Sequence, residues 1–129
     1  MKILAVDDDK DTRKLLREVL RQDGHQVITS SNALEAMVLV RLDRFDLVLL
    51  DLMMPGIDGH ELARFVSGGW STFDIPVIAI SCQTDPETKA WAKLNGCVRY
   101  VEKPFSPAEL LDTISDIQRG RSEEATLVS

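Results

Sequence analysis

Hydrophobic residues along the chain form five short runs, separated by longer stretches in which apolar residues recur at helical spacing. These runs predict five strands; the third is too short for a helix and bounded by turn residues, which predicts a fully buried strand, and the fifth is less apolar. The third run leads straight into Asp51, and Pro55-Gly56 and Asp58-Gly59 then predict a loop. Asp51 is therefore predicted at the carboxyl end of a central strand. The runs are Ile3–Val6, Gln26–Thr29, Leu47–Leu50, Pro76–Ser81 and Arg99–Glu102.

The stretches between the runs, and the one after the last, predict five amphipathic helices. The second of them places Ala33, Ala36, Met37 and Val40 on its inner face. Three helices have clear start signals, which are capping residues in each case, joined in two of them by proline at the first helical position. These signals are Asn32 with Glu35, Asp85 or Thr84 before Pro86, and Ser106 with Pro107 and Glu109.

Strands that alternate with helices pair in parallel through right-handed crossovers, which leaves helices on both faces of the sheet. The pattern therefore predicts an α/β fold: a flavodoxin-like, doubly wound, five-stranded parallel sheet of order 2-1-3-4-5 with five helices. In this order the switch point lies between strands one and three. Asp7, Asp8 and Asp51 then converge at one edge of the sheet.

The composition is that of a soluble globular protein and limits the classes of partner. The chain has 129 residues, 44% of them hydrophobic and 28% charged, which predicts one domain over 1–118 and a loose, polar tail over 119–129. The net charge of −6 argues against nucleic acid as a direct partner. No apolar run reaches membrane-spanning length, and the N-terminus enters a strand without a signal-peptide pattern. Cys82 and Cys97 are interpreted as small buried residues in a reducing compartment, which predicts the cytoplasm.

The three acids at the sheet edge repel one another, so either some of them are protonated or a cation lies among them. Two unit charges about 4 Å apart repel by about 4 kcal/mol at an effective dielectric near 20. A magnesium ion suits such a site, because it prefers oxygen ligands and keeps several waters. The alternative is that Asp8 or Asp9 caps the first helix and Asp7 is solvated, which accounts for one acid well and three poorly.

Two more residues are predicted at this edge: Ser81 ends strand four and Lys103 follows strand five. A carboxylate surrounded by a metal, a lysine and a hydroxyl suits a dianionic phosphoryl group. Asp51 is then the nucleophile that forms an acyl phosphate, with Lys103 and Ser81 contacting the phosphoryl oxygens. The alternative role for Lys103 is a simple salt bridge to Asp51, and both roles can hold.

Together these residues resemble the receiver domain of two-component response regulators, of the single-domain, chemotaxis-regulator type. The similarity runs from Lys2 to about Gln118, and the ordered set of motifs is specific. The matching segments are Asp7-Asp8, Asp51-Leu52-Met53-Met54-Pro55-Gly56-Ile57-Asp58-Gly59, Ser81 after Val77-Ile78-Ala79-Ile80, and Tyr100-Val101-Glu102-Lys103-Pro104-Phe105.

The resemblance implies that Asp51 accepts a phosphoryl group from a phosphohistidine on a histidine kinase or histidine phosphotransfer domain. It implies that Mg²⁺ is bound by Asp8, Asp51 and the Met53 backbone carbonyl, with Asp7 acting through water. It also implies that Lys103 contacts the phosphoryl group and that the Lys103-Pro104 peptide is cis. Ser81 and Tyr100 would form the switch that alters the surface of helix four, strand five and helix five.

Some positions depart from the family pattern. Cys82 replaces the usual Ala or Gly and, with Pro104, is expected to line the phosphoryl pocket. Ser81 replaces the commoner Thr, and Met53 offers no polar side chain to an attacking water. These changes bear on the lifetime of the phosphorylated state.

Three other classes of protein fit the sequence less well. A phosphohydrolase with an Asp nucleophile usually needs a second acid where Met53 stands. A flavodoxin-like FMN carrier needs a phosphate-binding loop where Asp7-Asp8-Asp9 would repel phosphate. A degenerate receiver would not keep all five of Asp7, Asp8, Asp51, Ser81 and Lys103.

The role that the resemblance implies is a signalling phosphoacceptor, not an enzyme acting on a separate substrate. The interpretation favours a stand-alone regulator, a monomer or a weak dimer through helix four, strand five and helix five. Its alternative is a receiver excised from a larger response regulator or hybrid histidine kinase.

Overall fold

The computed structural model describes residues 1–54, 56, 58–68 and 75–128, with side chains described through residue 120. In this part of the chain five strands alternate with five helices. The strands are β1 (Lys2–Val6), β2 (Gln26–Ser30), β3 (Leu47–Asp51), β4 (Val77–Ser81) and β5 (Cys97–Glu102). The helices are α1 (Lys10–Gln22), α2 (Ala33–Leu42), α3 (Gly59–Gly68), α4 (Pro86–Leu94) and α5 (Pro107–Val128).

The strands form one parallel sheet of order β2-β1-β3-β4-β5, which confirms the predicted fold and topology. Every residue of β3 and β4 is buried, as the unbroken hydrophobic runs predicted. The two faces of the sheet carry separate hydrophobic cores. Leu16, Leu20, Leu110 and Ile114 of α1 and α5 pack on one face. Residues of α2, α3 and α4, such as Leu62, pack on the other.

Local hydrogen bonds explain where several helices begin. The side chain of Asn32 accepts a hydrogen bond from Glu35 N–H at 2.8 Å, and that of Asp85 accepts one from Thr88 N–H at 2.9 Å. Ser106 Oγ accepts from Glu109 N–H at 3.1 Å. These bonds satisfy donors that have no partner inside the helix, and they confirm the start signals predicted from the sequence.

Several details differ from the sequence predictions. Helix α5 continues to Val128, past the predicted domain boundary at residue 118, and the division into a domain over 1–118 and a tail over 119–129 stays a prediction. Gly59 is a buried residue of α3, not part of a loop. Cys82 is exposed because it lies beyond the last residue of β4, whereas Cys97 is buried as predicted. Pro55 and Ile57, which belong to the motif around Asp51, lie outside the described residues.

No helix among the described residues combines the length and hydrophobicity needed to cross a lipid bilayer.

Candidate functional site

The predicted site residues lie at the carboxyl edge of the sheet. Asp7 follows β1, Asp51 ends β3, Ser81 ends β4 and Lys103 follows β5. Backbone hydrogen bonds hold these strand ends together: the Lys103 N–H donates to the Ser81 carbonyl at 2.9 Å. Parallel strands bring their carboxyl ends to one edge, and the β1–β3 switch point opens a crevice there. The topology therefore assembles residues that lie far apart in the chain.

The Lys103 ammonium bridges two buried carboxylates. Its Nζ lies 2.7 Å from Asp7 Oδ2 and 3.2 Å from Asp51 Oδ2. The side chains of Asp7 and Asp51 are only 1% and 5% exposed, and that of Lys103 is 22% exposed. A salt bridge from Lys103 to Asp51 was among the sequence interpretations. The shorter contact to Asp7 was not predicted, since β1 lies one strand farther from β5 in the sheet than β3 does.

Burial and charge shift the ionisation of this group of residues. Burial raises the pKa of Asp51 and the charge of Asp7 raises it further, although the Met53 N–H and the Lys103 ammonium oppose this. Burial alone would lower the pKa of Lys103, but the hydrogen bond to Asp7 and the charges of Asp51 and Asp7 outweigh it and raise the pKa. Lys103 is thus held as a cation beside a carboxylate that is costly to ionise.

Backbone donors fix the remaining carboxylate oxygens. Asp7 Oδ1 accepts from Asp9 N–H, and Asp51 Oδ1 accepts from Met53 N–H, each at 2.9 Å. Asp9 caps α1 by accepting from Thr12 N–H at 3.0 Å. Since Asp9 takes the capping role, Asp8 is left exposed at the edge of the site. Helix capping therefore accounts for Asp9 alone. Asp7, Asp8 and Asp51 need another explanation.

Those three acids form a cluster that fits a hard divalent cation. One carboxylate oxygen from each of Asp7, Asp8 and Asp51 lies within 4.8 Å of the others. Two of the acids are buried and the third is exposed, which leaves room for water on one side. An all-oxygen donor set with an open, hydrated side is the arrangement that Mg²⁺ prefers. The residues present therefore fit the predicted ion.

Ser81 and Tyr100 meet at the backbone of one residue, Gln83. The Ser81 hydroxyl is fully buried and accepts a hydrogen bond from Gln83 N–H at 3.1 Å. The Tyr100 hydroxyl donates to the Gln83 carbonyl at 2.7 Å. The Gln83 side chain also accepts a hydrogen bond at 3.0 Å from Thr88, in the first turn of α4. Sequence reasoning paired Ser81 with Tyr100 but missed Gln83, because its role is carried mainly by backbone atoms.

The other residues predicted in the phosphoryl pocket directly follow Ser81 and Lys103 in the chain, and their role in that pocket stays a prediction. Cys82 and Pro104 are both exposed, and the Lys103–Pro104 peptide is cis as the resemblance implied. The Met53 side chain is 49% exposed, while its N–H is used by Asp51. The Met53 carbonyl as a metal ligand stays a prediction.

This fold and this arrangement of acids and lysine define a receiver-type domain. A family model described as the response regulator receiver domain matches residues 3–115. Protein PilH of Pseudomonas aeruginosa is 34% identical over 119 residues, which cover 92% of this chain and 98% of PilH. The chain belongs to the response regulator receiver domain family of two-component signalling.

Other relatives extend the comparison. The phosphate regulon transcriptional regulatory protein PhoB of Pseudomonas aeruginosa is 33% identical over 91% of this chain and 51% of PhoB. The chain thus spans nearly all of PilH but about half of PhoB. The solved structure of Vibrio cholerae chemotaxis protein CheY4 superposes with a TM-score of 0.85 and 31% identity, covering 89% of this chain and 96% of CheY4. The fold is therefore CheY-like.

Proposed function

We propose that this chain is a phosphorylatable, cytoplasmic receiver in which Asp51 accepts a phosphoryl group from a phosphohistidine. The supporting observation is the Lys103 ammonium, which lies within hydrogen-bond distance of both Asp7 and Asp51 beside the exposed Asp8. The donor is a histidine kinase or a histidine phosphotransfer domain. The chain acts as a signalling phosphoacceptor, and its only catalysis is its own phosphorylation and dephosphorylation.

The transfer follows from the charges at the sheet edge. An Asp51 carboxylate oxygen attacks phosphorus, the P–N bond to the donor histidine breaks, and the imidazole nitrogen takes the electron pair and a proton from water. Lys103 then balances the added negative charge, as a preorganised cation does at a site of developing charge. Bound by Asp8, Asp51 and the Met53 carbonyl, with Asp7 through water, Mg²⁺ would supply further neutralisation of the phosphoryl oxygens.

Phosphorylation is expected to depend on Asp51 alone. The wild-type chain incubated with Mg²⁺ and acetyl phosphate should gain one phosphoryl group, and Asp51→Asn should gain none. The physical reason is that an amide oxygen is a poor nucleophile and cannot form the acyl phosphate. Intact-mass spectrometry, followed by peptide mapping of the wild type, checks both. Stoichiometric phosphorylation of Asp51→Asn would overturn the assignment.

Asp8→Ala tests the proposed metal site. We expect at least about tenfold weaker Mg²⁺ binding by isothermal titration calorimetry, because the change removes one ligand oxygen. Phosphorylation by acetyl phosphate should slow in parallel. Asp11→Ala is the matched control, since Asp11 is a nearby exposed acid in the first turn of α1 and does not belong to the acid cluster. Equal phosphorylation of the wild type in excess chelator, or equal effects of the two changes, would contradict the metal role.

The signal is proposed to leave the site through Gln83. Phosphoryl oxygens on Asp51 would attract the Ser81 hydroxyl through a charge-assisted hydrogen bond. That movement removes the acceptor of the Gln83 N–H, and Gln83 also holds the Tyr100 hydroxyl and Thr88 of α4. The α4–β5–α5 surface then changes shape, and partners that prefer the new shape shift the equilibrium further.

The face that would report this change contains a defined groove. A cavity of about 570 Å³ lies between α4 and β5 and is lined in part by Lys89, Lys93, Arg99 and Tyr100. The Lys89 ammonium pairs with Glu102 and lies 5.7 Å from the centre of the Tyr100 ring. A change at Tyr100 would therefore alter the charge arrangement of the groove.

Ser81→Ala separates phosphorylation from signalling. We expect the variant to be phosphorylated on Asp51 but to lose at least half of the amide chemical-shift changes across residues 85 to 115. The reason is that the methyl group cannot bond to the phosphoryl oxygens or to Gln83. Spectra with and without beryllofluoride measure the changes, and Ser81→Thr, which keeps the hydroxyl, is the control. Wild-type shift changes in Ser81→Ala would show that the signal takes another route.

A further inference from the structure

Helix α2 is apolar on both its faces. Its inner face is buried through Ala33, Ala36 and Val40. Its outer face carries three large apolar side chains that are exposed to solvent: Leu34 at 63%, Val38 at 49% and Leu42 at 79%. A helix on the surface of a globular protein normally keeps its outer face polar. An exposed row of large apolar residues is typical of an interaction surface.

The three residues form one continuous ridge, which we call the α2 stripe (Leu34, Val38, Leu42). Successive residues of a helix are about 100° apart, so residues at i and i+4 differ by only about 40°. The stripe therefore spans about 80° and runs obliquely to the helix axis. All of its side chains are large and apolar, and no polar residue interrupts it.

One acid and one base lie on opposite sides of the stripe. Glu35 and Arg41 each lie about 60° around the helix from Val38, in opposite directions. Both are exposed, and neither forms an ion pair within the described residues. They are the two charged residues of α2; of the exposed Asp43 and Arg44 that follow its last residue, Asp43 is already paired with Lys2.

We propose that the α2 stripe is the contact surface for a second copy of this chain, with the two α2 helices related by a two-fold axis that runs along the stripe. The i, i+4 ridges of both helices then pack at a crossing angle of about −50°. Each stripe residue lies beside its own equivalent. Glu35 of each copy lies beside Arg41 of the other, so the contact has two equivalent ion pairs, as a two-fold interface requires.

The charge pattern selects this orientation over the other two-fold arrangement. A two-fold axis across the stripe would place Leu34 against Leu42 of the second copy. It would also place Glu35 beside the second Glu35 and Arg41 beside the second Arg41, which is repulsive on both sides. The positions of Glu35 and Arg41 match those of Arg41 and Glu35 on a second α2 helix. A partner with an unrelated surface would not account for this match.

The contact is small and the dimer is expected to be weak. One helix pair buries less than the roughly 1,000 Å² typical of stable interfaces. A dissociation constant of about 10 µM to 1 mM is therefore expected. The proposal does not depend on phosphorylation, and it places self-association on α2 instead of the α4–β5–α5 surface.

Sedimentation velocity of the full chain over about 10 µM to 1 mM, near the expected dissociation constant, tests the contact. Leu42→Lys should weaken the dimer at least about tenfold, because it buries an unpaired charge against a second stripe. Leu94→Lys is the matched control: Leu94 is also 79% exposed but lies on α4, and this change should leave the dimer intact. A chain that stays monomeric throughout, or a dimer lost only in Leu94→Lys, would overturn the proposal.

Charge reversal tests the orientation. Glu35→Arg and Arg41→Glu should each weaken the dimer about tenfold, since each turns two exposed attractions into repulsions. The double variant should restore wild-type association, because Arg at 35 again faces Glu at 41. Glu35→Ala should weaken the dimer slightly. If Glu35→Ala strengthens it, or the double variant stays monomeric, the helices do not pair along the stripe and the proposal is wrong.

A cross-link gives the position of the axis independently. In a Cys82→Ser background, Val38→Cys should form a disulfide with its equivalent in the second copy, because facing helices bring such pairs within about 7 Å. Cys97 should not interfere, since burial raises the pKa of its thiol to about 12. Leu94→Cys in the same background is the control and should remain monomeric under oxidation. Equal cross-linking at both positions would mean random collision and would contradict the contact.

Discussion

Gly59→Ala is expected to destabilise the protein by about 2–4 kcal/mol, because overpacking against rigid backbone is costly. A Cβ at Gly59 would lie 2.6 Å from the Leu52 Cα, 2.9 Å from the Leu52 carbonyl oxygen and 3.0 Å from the Asp51 carbonyl oxygen. These are backbone atoms, which cannot rotate away as a side chain can. The gain in helix propensity from alanine is at most about 1 kcal/mol and does not offset the clash.

Gly68→Ala is the matched control for this prediction. Gly68 lies in the same helix, and apart from that helix's own backbone a Cβ there would meet no atom of the described residues within 4 Å. This variant should be neutral or more stable by up to about 1 kcal/mol. Urea unfolding monitored by circular dichroism gives the free energy of unfolding of the wild type and of both variants. Equal stabilities of the Gly59 and Gly68 variants would show that the close approach of α3 to the end of β3 is not a constraint.

The same clash is expected to reach the functional site. Leu52 directly follows Asp51, and its N–H donates to the Ile80 carbonyl at 3.2 Å. To admit a Cβ at Gly59, the Asp51–Leu52 backbone must move, and this would displace the carboxylate from Lys103. Folded Gly59→Ala should therefore also be phosphorylated more slowly than Gly68→Ala.

Gly59 illustrates which parts of the structure the sequence predicts. The pair Asp58-Gly59 suggests a turn, since both residues are common in loops. The structure instead requires glycine at 59 because two backbone segments approach closely, and such a contact leaves no local sequence pattern. Gly56, with a φ of +90°, is a turn glycine in the expected sense.

The features that were predicted correctly are local in the chain. The runs that became β3 and β4 and the cap at Asn32 depend on residues within a few positions of each other. The sheet order followed from general rules of connection. The convergence of Asp7 and Asp51 at one edge followed in turn from that order.

Contacts between distant strands could not be read from the sequence in the same way. Lys103 lies nearer to Asp7 than to Asp51, although β1 is one strand farther from β5 in the sheet than β3 is. The long flexible side chain of lysine decides this, and its direction depends on packing that has no periodic signature. The exposed α2 stripe was also not predicted. Helical periodicity indicates which residues face the core, and it does not indicate that the opposite face is apolar as well.

Lys103→Met is expected to lower the free energy of unfolding by about 2–3 kcal/mol at pH 7 in the presence of chelator. The change leaves the Asp7 and Asp51 carboxylates buried without their cation, which costs about 3–5 kcal/mol in a fully buried pair. The partial exposure of Lys103, 22%, places the loss below that range. Lys89→Met is the control: Lys89 also pairs with a carboxylate, Glu102, but both side chains are more than 40% exposed. Its loss should be much smaller.

The loss in Lys103→Met is expected to depend on pH in a defined direction. Burial already raises the pKa of Asp51, and removal of the ammonium should raise it further. A carboxyl group whose folded pKa exceeds its unfolded value of about 3.9 holds its proton more tightly in the folded state. The cost in stability of ionising this buried carboxyl group is therefore fully present above its folded pKa. It disappears as the pH falls towards about 4 and the group becomes protonated. The stability difference from wild type should be largest at pH 7 and shrink on acidification.

A double variant distinguishes this electrostatic cause from lost packing. Asp51→Asn removes one of the two buried charges, so Lys103→Met with Asp51→Asn should recover most of the stability that Lys103→Met loses at pH 7. The recovery should fade at low pH, where Asp51 is already protonated. If the loss is independent of pH, or the double variant is no more stable than Lys103→Met, the stem of Lys103 contributes by packing. In that case the two buried carboxylates do not depend on Lys103 for their charge balance.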